Sequence, residues 1–256
     1  MKQLLQNETL RRLWATLGYW PPIRNFPFYK KQIRGRHGLE IGGPSAIFRA
    51  RRRLPLYPVV TSLDGCNFSS STLWEPSLSE GRTYKYQAGK PAGHQYIRDA
   101  VDLGPIGSES YEFVLSSHAL EHIANPLKAL IEWRRVLSPS GTLVLILPDP
   151  RRTFDHNRPI SNFDHLHKDL EDDVGEDDLT HLEEIVRLHD LKMDPGDLSA
   201  EEFRARCLDN NQYRAMHHHV FNGALVCEVL RYLGMVVLSQ DYAPRSHLIT
   251  LAKSRG

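Results

Sequence analysis

The apolar run at residues 142–148, TLVLILP, constrains the fold of this chain more than any other segment. Seven residues are far too few to cross a bilayer, but they suit a strand. Because polar residues do not alternate within the run, we expect the strand to be buried on both faces, as in a parallel sheet. A helix precedes it, with an Asn-Pro start at residues 125–126 and helically spaced apolar residues up to 137.

The rest of the chain continues this alternation. Short apolar runs predict further strands at residues 36–42, 58–63, 111–116, 235–239 and 247–252, and a helix at 224–233 ends at Gly234. We therefore predict an α/β fold with a Rossmann-like, mostly parallel sheet and helices on both faces. We expect four parts, namely an N-terminal helical segment (1–35), a nucleotide-binding core (36–150), a helical insertion forming a lid (151–219) and a C-terminal helix with strands (220–256).

Composition excludes several classes of protein. The 256 residues carry 32 basic and 31 acidic side chains, so no global charge attracts nucleic acid or an anionic membrane. The chain has no membrane span and no secretory signal, and its three cysteines are too widely spaced for a disulfide framework. These features predict a cytoplasmic protein. An amphipathic helix predicted over residues 1–20 either covers the sheet or pairs with a second subunit in a homodimer.

A glycine turn follows the first predicted strand, in GLEIGGPS at residues 38–45. Gly42 and Gly43 allow a tight turn and close approach of a ligand to the backbone. Pro44 and Ser45 follow where a dinucleotide fingerprint has its third glycine, which favours a nucleotide without a pyrophosphate over NAD. Asp64, expected at the end of the second strand, is placed like an acceptor for ribose hydroxyls. Asp99 or Asp102, with Ala100 beside them, is expected to border an adenine.

These motifs together resemble a known family. GLEIGGPS, LDGCNFSSSTLWE and YEFVLSSHALEHIANPLKALIEWRRVLSPSGTLVLILPD look like a class I S-adenosylmethionine-dependent methyltransferase. The resemblance covers roughly residues 36–150 and returns in the last 35. It implies S-adenosylmethionine as cofactor, with Glu40 and Gly42 near the methionyl part and Asp64 on the ribose. It also implies that the loop of Ser117 and His118 lies beside the sulfonium.

The segment after residue 150 is acidic and holds eight of the 13 histidines, between residues 156 and 219. Its run PDPRRTFDHNRP and the later HHHVF are similar to bacterial saccharide O-methyltransferases of polysaccharide pathways, with the mycobacterial enzymes for methylmannose or methylglucose polymers as one candidate relative. A sugar hydroxyl needs a base to remove its proton during methyl transfer. The candidates are His118, His217 and His219, while Asp155 either assists catalysis or forms a salt bridge that fastens the lid.

Magnesium bound by Asp149, His165 and Asp169 is a further hypothesis, since a divalent cation can chelate vicinal hydroxyls. Three readings of function stay open. The first is methylation of a sugar or oligosaccharide hydroxyl, which the polar character of residues 151–219 favours. The second is methylation of a non-sugar small molecule. The third is a non-methyltransferase, either an NAD-type oxidoreductase or a non-catalytic nucleotide-binding domain.

Overall fold

The computed structural model describes residues 19–73, 75, 77–194, 197–243 and 247–255. Eight strands in this part of the chain form one mixed sheet, which confirms the predicted Rossmann-like α/β class. The strands are β1 (His37–Ile41), β2 (Ser62–Asn67), β3 (Gly81–Tyr84), β4 (Gly93–Ile97), β5 (Tyr111–Ser117), β6 (Leu137–Pro148), β7 (Met235–Ala243) and β8 (His247–Ser254). Their order across the sheet is β3-β4-β2-β1-β5-β6-β8-β7.

Seven α-helices lie within the described residues. They are α1 (Phe26–Ile33), α2 (Pro126–Val136), α3 (Phe163–Glu171), α4 (Leu182–Leu188), α5 (Ala200–Leu208), α6 (Asn210–Tyr213) and α7 (Gly223–Tyr232). Asn125 caps α2 by accepting a hydrogen bond from the Lys128 amide, and Pro126 opens the helix, as predicted. The helix predicted over residues 1–20 falls almost wholly outside the described residues.

Five adjacent strands, from β4 through β2, β1 and β5 to β6, are parallel. β3 runs antiparallel to β4 at one edge, and β8 runs antiparallel to both β6 and β7 at the other. β3 and β4 were not among the strands that the sequence predicted. Parallel strands end at the same edge of the sheet, so the loops after β1, β2, β4 and β5 meet there.

The side chains of β6 alternate between two hydrophobic cores. Leu143, Leu145 and Leu147 pack into the core that contains α2 and α7. Val144 and Ile146 pack into the opposite core, which contains α1. The absence of polar alternation in this strand therefore reflects helices on both faces of the sheet, and the prediction of a strand buried on both sides is confirmed.

One predicted strand begins later than expected. The strand predicted at residues 58–63 is a 3-10 turn at Tyr57–Val59 followed by β2 from Ser62 to Asn67. Pro58 lies in this turn, where its fixed φ and missing amide hydrogen are tolerated, whereas they would interrupt a central strand. The shift moves Asp64 from the predicted strand end to the third position of β2.

The segment between β6 and α7 is helical, with α3, α4, α5 and the short α6. It has a small apolar core of its own, built from Leu182, Ile185, Phe203, Cys207 and Met216. Its last part returns to the sheet, because the His217 ring packs on His122 in the loop after β5, with ring centroids 4.4 Å apart. Among the described helices, none is long and apolar enough to span a membrane.

Candidate functional site

A cavity of about 700 Å³ opens at the carboxyl ends of β1, β2, β4 and β5. This is the edge at which open α/β sheets bind ligands. Of the nine residues predicted to bind a cofactor, six line the cavity, namely Gly42, Gly43, Pro44, Ala100, Ser117 and His118. The other three, Glu40, Asp64 and Asp99, do not line it, and each is held by other protein groups.

The glycine turn forms one wall of the cavity. Gly42 has a φ of 77°, in the left-handed region that favours glycine, and an added Cβ would lie 3.0 Å from the Cβ of Ala119. A Cβ on Gly43 would lie 2.2 Å from the Tyr84 hydroxyl and 2.3 Å from the carboxyl carbon of Glu40. Both glycines are therefore required by the packing beneath the turn as well as by access to the cavity.

Glu40 supports this turn from below. Its side chain is fully buried, and Oε2 accepts hydrogen bonds from the hydroxyls of Tyr57 at 2.6 Å and Tyr84 at 2.5 Å. The Ser45 amide donates to Oε1 at 3.0 Å. Burial raises the pKa of Glu40, while the bonds from Ser45 and the two tyrosines oppose that rise. Glu40 thus fixes the shape of the turn, whereas the resemblance implied a position near the ligand itself.

The Asp64 side chain lies towards the amino ends of the parallel strands, whereas the ribose site was predicted at their carboxyl ends. One carboxylate oxygen accepts a hydrogen bond from the His94 amide at 2.7 Å, and the other accepts one from the Tyr111 hydroxyl at 2.8 Å. The residue at the end of β2 that lines the cavity is Asn67, whose side-chain amide donates to the Gly43 carbonyl at 2.9 Å. The later start of β2 is the reason for this difference.

Asp99 is fastened by an arginine from the helical segment. Its Oδ2 accepts a hydrogen bond from Arg214 at 2.7 Å, and Oδ1 accepts from the Val101 amide. Its two neighbours, Arg98 and Ala100, line the cavity. Asp102 instead accepts from the amide of Gly104 and is not among the lining residues. At the place where the adenine was predicted, the cavity is therefore lined by Arg98 and Ala100, while Asp99 holds Arg214 beside them.

His118 is the histidine that the end of β5 presents to the cavity. Its φ of 54° is unusual for a residue with a side chain. Its backbone amide donates to the Ile146 carbonyl at 2.9 Å. The ring contacts two partners, with Nε2 2.9 Å from Nδ1 of His247 and Nδ1 3.3 Å from Oε1 of Glu121. Burial lowers the pKa of His247 to about 4, so this partner of His118 is neutral at pH 7.

Behind His118 lies a first cluster, made of Glu121, His122, His217 and Asp155. One potential ligand atom from each of Glu121, His122 and His217 lies within 4.8 Å of the others. Although burial raises the pKa of Glu121, the contact with His118 lowers it overall. Nδ1 of His217 is 2.5 Å from Oδ2 of Asp155, and both side chains are buried. Of these residues, only His122 lines the cavity.

Asp155 is an ion-pair partner that fastens the helical segment. Burial raises its pKa, but the charges of His217 and Arg158 outweigh burial and lower it to about 2. Arg158 lies 3.2 Å from Oδ1 of Asp155 and also donates to the carbonyls of His217 and His218. Of the two roles predicted for Asp155, the salt bridge is the one that these contacts show.

A second cluster gathers His165, Asp169, His181 and His219. Nε2 of His165 lies 2.9 Å from Nε2 of His181 and 3.6 Å from Oδ2 of Asp169. Nε2 of His219 lies 3.5 Å from the same carboxylate oxygen and 3.0 Å from the carbonyl of Ala124. His165 and Asp169 of the predicted metal set thus come together. His219, predicted as a candidate base, lies in this cluster, and neither His219 nor His217 lines the cavity.

Asp149, the third residue of the predicted metal set, lies outside this group. Its two carboxylate oxygens each accept a hydrogen bond from Arg151 at 2.8 Å, and it caps the 3-10 turn at Pro150–Arg152. The structure brings together within ligand distance, among the residues it describes, only the two histidine groups above. The predicted three-residue magnesium set is therefore not assembled.

Comparison with known proteins adds to this geometry. Residues 63–145 match the sequence model of a family described as a methyltransferase domain. This matched part, less than half of the chain, is therefore similar to a methyltransferase domain. The match spans β2 to β6 and leaves the glycine turn outside, but the similarity in fold extends over the whole sheet. No curated protein is significantly similar to the chain in sequence.

Two solved structures share the fold of this chain. A proposed methyltransferase from Bacillus halodurans is 11% identical, with a TM-score of 0.51, and the alignment covers 91% of this chain and 98% of that one. An S-adenosylmethionine-dependent methyltransferase from Mesorhizobium loti is 14% identical, with a TM-score of 0.50, and the alignment covers 90% and 97% of the two chains. At these identities the likeness establishes the fold.

The cavity has the size and the open backbone that S-adenosylmethionine would need. Its volume lies within the range of small-molecule sites, about 300 to 1,000 Å³. The Gly42–Gly43 backbone leaves a cradle that any Cβ would fill, and Asn67 offers an amide at the position beside it. The set therefore suits a nucleoside with a short charged tail.

Arginines surround the cavity. Arg49, Arg52, Arg53, Arg98 and Arg214 all line it, whereas Glu75 is the one acidic residue among the lining residues that the structure describes. Arg214 is paired with Asp99 and Glu176, and Arg98 lies 3.6 Å from Glu80. Arg49 and Arg52 make no ion pair with a described carboxylate. The mouth of the cavity is thus positively charged, although the whole chain is nearly neutral.

Several site residues were not found by sequence reasoning. Glu121 was not among the predicted site residues, yet it is buried and contacts His118, which lies three residues earlier in the chain. His247 and His181 are single histidines without a motif. Arg214 follows no strand and has a φ of 50°, and nothing in its local sequence places it against Asp99.

Proposed function

We propose that the protein transfers the methyl group of S-adenosylmethionine to a hydroxyl group of a sugar or oligosaccharide, with His118 as the general base. The observation that carries the proposal is the position of His118. It lies at the end of β5 on the cavity wall, with its ring between a buried carboxylate and a neutral histidine. Bound S-adenosylmethionine supplies an electrophilic methyl group.

The contacts of His118 support a role in moving a proton. A hydroxyl is a weak nucleophile at neutral pH and must lose its proton as it attacks, so a base at hydrogen-bond distance is needed. Oε1 of Glu121 lies 3.3 Å from Nδ1 of His118, and Nδ1 of His247 lies 2.9 Å from its Nε2, so each ring nitrogen has a neighbour with which it can share a proton.

The helical segment and the arginines support a polar acceptor. Residues 151–219, proposed as the lid, contribute Arg214 to the cavity and hold His217 against His122. The exposed Arg49 and the half-buried Arg52 favour an acceptor with an anionic group, such as a phosphate-linked or acidic saccharide. The alternative is that these side chains bind the carboxylate of the cofactor. In that case R49Q and R52Q would weaken S-adenosylhomocysteine binding, whereas a role toward the acceptor would weaken only acceptor binding. Magnesium is not required by this proposal, because its predicted ligands are not assembled.

The test combines binding and transfer with matched variants. Calorimetry measures S-adenosylhomocysteine binding, and transfer of a labelled methyl group is followed to methyl mannoside, methyl glucoside, their oligosaccharides, catechol and a primary amine. We expect His118→Asn to bind the product with wild-type affinity but to lose about 10²- to 10⁴-fold in rate. The control is His156→Asn, whose histidine pairs with Asp190 near the protein surface. Transfer only to catechol or to the amine would contradict the sugar proposal, and absence of product binding would favour a non-catalytic domain.

A further inference from the structure

The second cluster described above joins three separate parts of the helical segment. His165 and Asp169 lie one turn apart on α3, His181 immediately precedes α4, and His219 lies just before α7. None of these four residues lines the cavity. All four side chains are potential metal ligands. Helix packing alone does not explain why four such residues, far apart in sequence, converge on one small volume.

The distances within the cluster are those of ligands around one ion. A tetrahedral zinc ion with bonds of about 2.0–2.1 Å to nitrogen and oxygen places neighbouring ligand atoms roughly 3.3 Å apart. The observed separations are 2.9 Å between His165 and His181, 3.6 Å between His165 and Asp169, and 3.5 Å between His219 and Asp169. The three histidines each offer a potential ligand atom within 4.8 Å of the others, and Asp169 approaches two of them, so the four side chains surround one small volume.

The polar groups of the cluster are incompletely satisfied by the protein. Oδ2 of Asp169 and Nδ1 of His219 are buried and have no hydrogen-bond partner among the described residues. An unsatisfied buried polar group typically destabilises a protein by about 1–3 kcal/mol. Nε2 of His219, the nitrogen that faces Asp169, lies 3.0 Å from the Ala124 carbonyl, and a metal bound to Nε2 would replace this contact. A cation between Asp169 and the imidazoles would supply the missing partner of the Asp169 carboxylate.

We propose that His165, His181, His219 and Asp169 bind one divalent transition-metal ion, and that zinc is the ion that fits this set best. Three imidazoles and one carboxylate in a tetrahedral arrangement are typical of zinc, whereas magnesium prefers oxygen ligands and six-fold coordination. Four protein ligands fill the coordination shell, so the site holds structure and does not react. It fastens α3 to α4 and to the segment that carries His217.

The other histidine group is a weaker candidate for the same ion. Glu121 already contacts His118, and His217 already contacts Asp155. Both contacts would compete with a metal. His217 of the first cluster and His219 of the second are only two positions apart in the chain. The experiment must therefore distinguish metal binding at one cluster from binding at the other.

The test uses untagged full-length protein, because a histidine tag would bind the same metals. Elemental analysis of the purified protein measures bound metal, and cobalt added after dialysis against a chelator reports the geometry, since tetrahedral cobalt absorbs strongly in the visible. We expect about one equivalent of metal and a tetrahedral spectrum. His181→Ala and Asp169→Asn are expected to lose more than the roughly 10- to 100-fold in affinity that outer-shell substitutions cost.

Two control variants show whether a loss of metal binding is specific to the proposed ligands. His167→Ala changes an α3 histidine that pairs with Glu171 on the helix surface, and it should bind cobalt as the wild type does. Glu121→Gln should also retain binding. If the wild-type protein contains no metal and binds cobalt more weakly than about 10 µM, or if Glu121→Gln loses binding while His181→Ala keeps it, the proposal is wrong. None of these readouts requires enzymatic activity.

Discussion

Replacing Tyr84 with phenylalanine tests whether the buried Glu40 fixes the glycine turn. The substitution removes only the hydroxyl that donates to Oε2 of Glu40 at 2.5 Å and leaves the ring in place against Gly65. Glu40 keeps its bonds from Tyr57 and Ser45. A hydrogen bond to a charged group contributes about 1.5–3 kcal/mol, so we expect Y84F to lower the free energy of unfolding by about 2 kcal/mol.

Urea unfolding followed by circular dichroism measures this loss. With a slope of about 2 kcal/mol per molar urea, the midpoint should fall by about 1 M. Tyr86 offers a matched control, since its hydroxyl is buried but has no hydrogen-bond partner among the described residues. Tyr86→Phe should therefore change the unfolding free energy by less than about 0.5 kcal/mol or stabilise the protein slightly.

Ligand affinity separates support of the turn from direct contact. If Tyr84 acts through Glu40, Y84F should weaken S-adenosylhomocysteine binding only modestly, because two other donors still hold Glu40 at the turn. A change in stability of less than about 0.5 kcal/mol for Y84F would refute the reasoning about Glu40. Loss of product binding at unchanged stability would show that the hydroxyl touches the ligand, which the geometry does not predict.

Three further predictions follow from the site. Asp64→Ala should keep its affinity for S-adenosylhomocysteine within about threefold in calorimetry while losing about 1–3 kcal/mol of stability, because Asp64 bonds to Tyr111 and not to the cavity; a variant that is stable but does not bind would restore Asp64 to the cofactor site. Gly42→Ala should lose product binding about tenfold or more, because a side chain at φ 77° is strained by about 1–2 kcal/mol and meets Ala119 at the cavity wall; wild-type affinity would contradict this. The pKa of His247 is lowered from 6.5 to about 4 by burial and by His118, so the unfolded state binds more protons and stability falls as pH drops below about 6.5. Between pH 7 and pH 5 this amounts to about 2 kcal/mol, and urea unfolding of His247→Asn should show a smaller loss, whereas equal losses would exclude His247 as the cause.

The parts of the fold that depend on local pattern could be predicted from the sequence. The apolar run of β6 and the Asn-Pro start of α2 each carry their signal within a few residues, and both lie where expected. β3 and β4 are short and partly exposed, so their apolar periodicity is weak. Asp64 shows a different limit. Because Pro58 lies in a 3-10 turn, β2 begins a few residues later than predicted. The residue at the end of β2 that lines the cavity is therefore Asn67, whereas the prediction had placed Asp64 there.

The residues of the candidate site also fall into those that local sequence pattern could predict and those that it could not. The loop of Ser117 and His118 was found because it follows a strand that the pattern defined. The contacts of Glu121, His181 and Arg214 depend instead on how the helical segment packs against the sheet, and no local spacing records that packing. Alternation in an extended stretch suggested a shared direction for His217 and His219, but the structure assigns them to different clusters because their partners differ.

The three consecutive histidines at 217–219 connect the two clusters, because the first belongs to one cluster and the last to the other. His217 is fixed by Asp155, His218 lies 3.0 Å from the side-chain amide of Asn210, and His219 contacts the Ala124 carbonyl. All three rings are nearly fully buried, and Arg158 holds the carbonyls of the first two. The segment cannot slide without breaking contacts at all three rings. The position of His217 against His122 is therefore coupled to the position of His219, so a metal ion that orders the second cluster would also order the wall of the cavity.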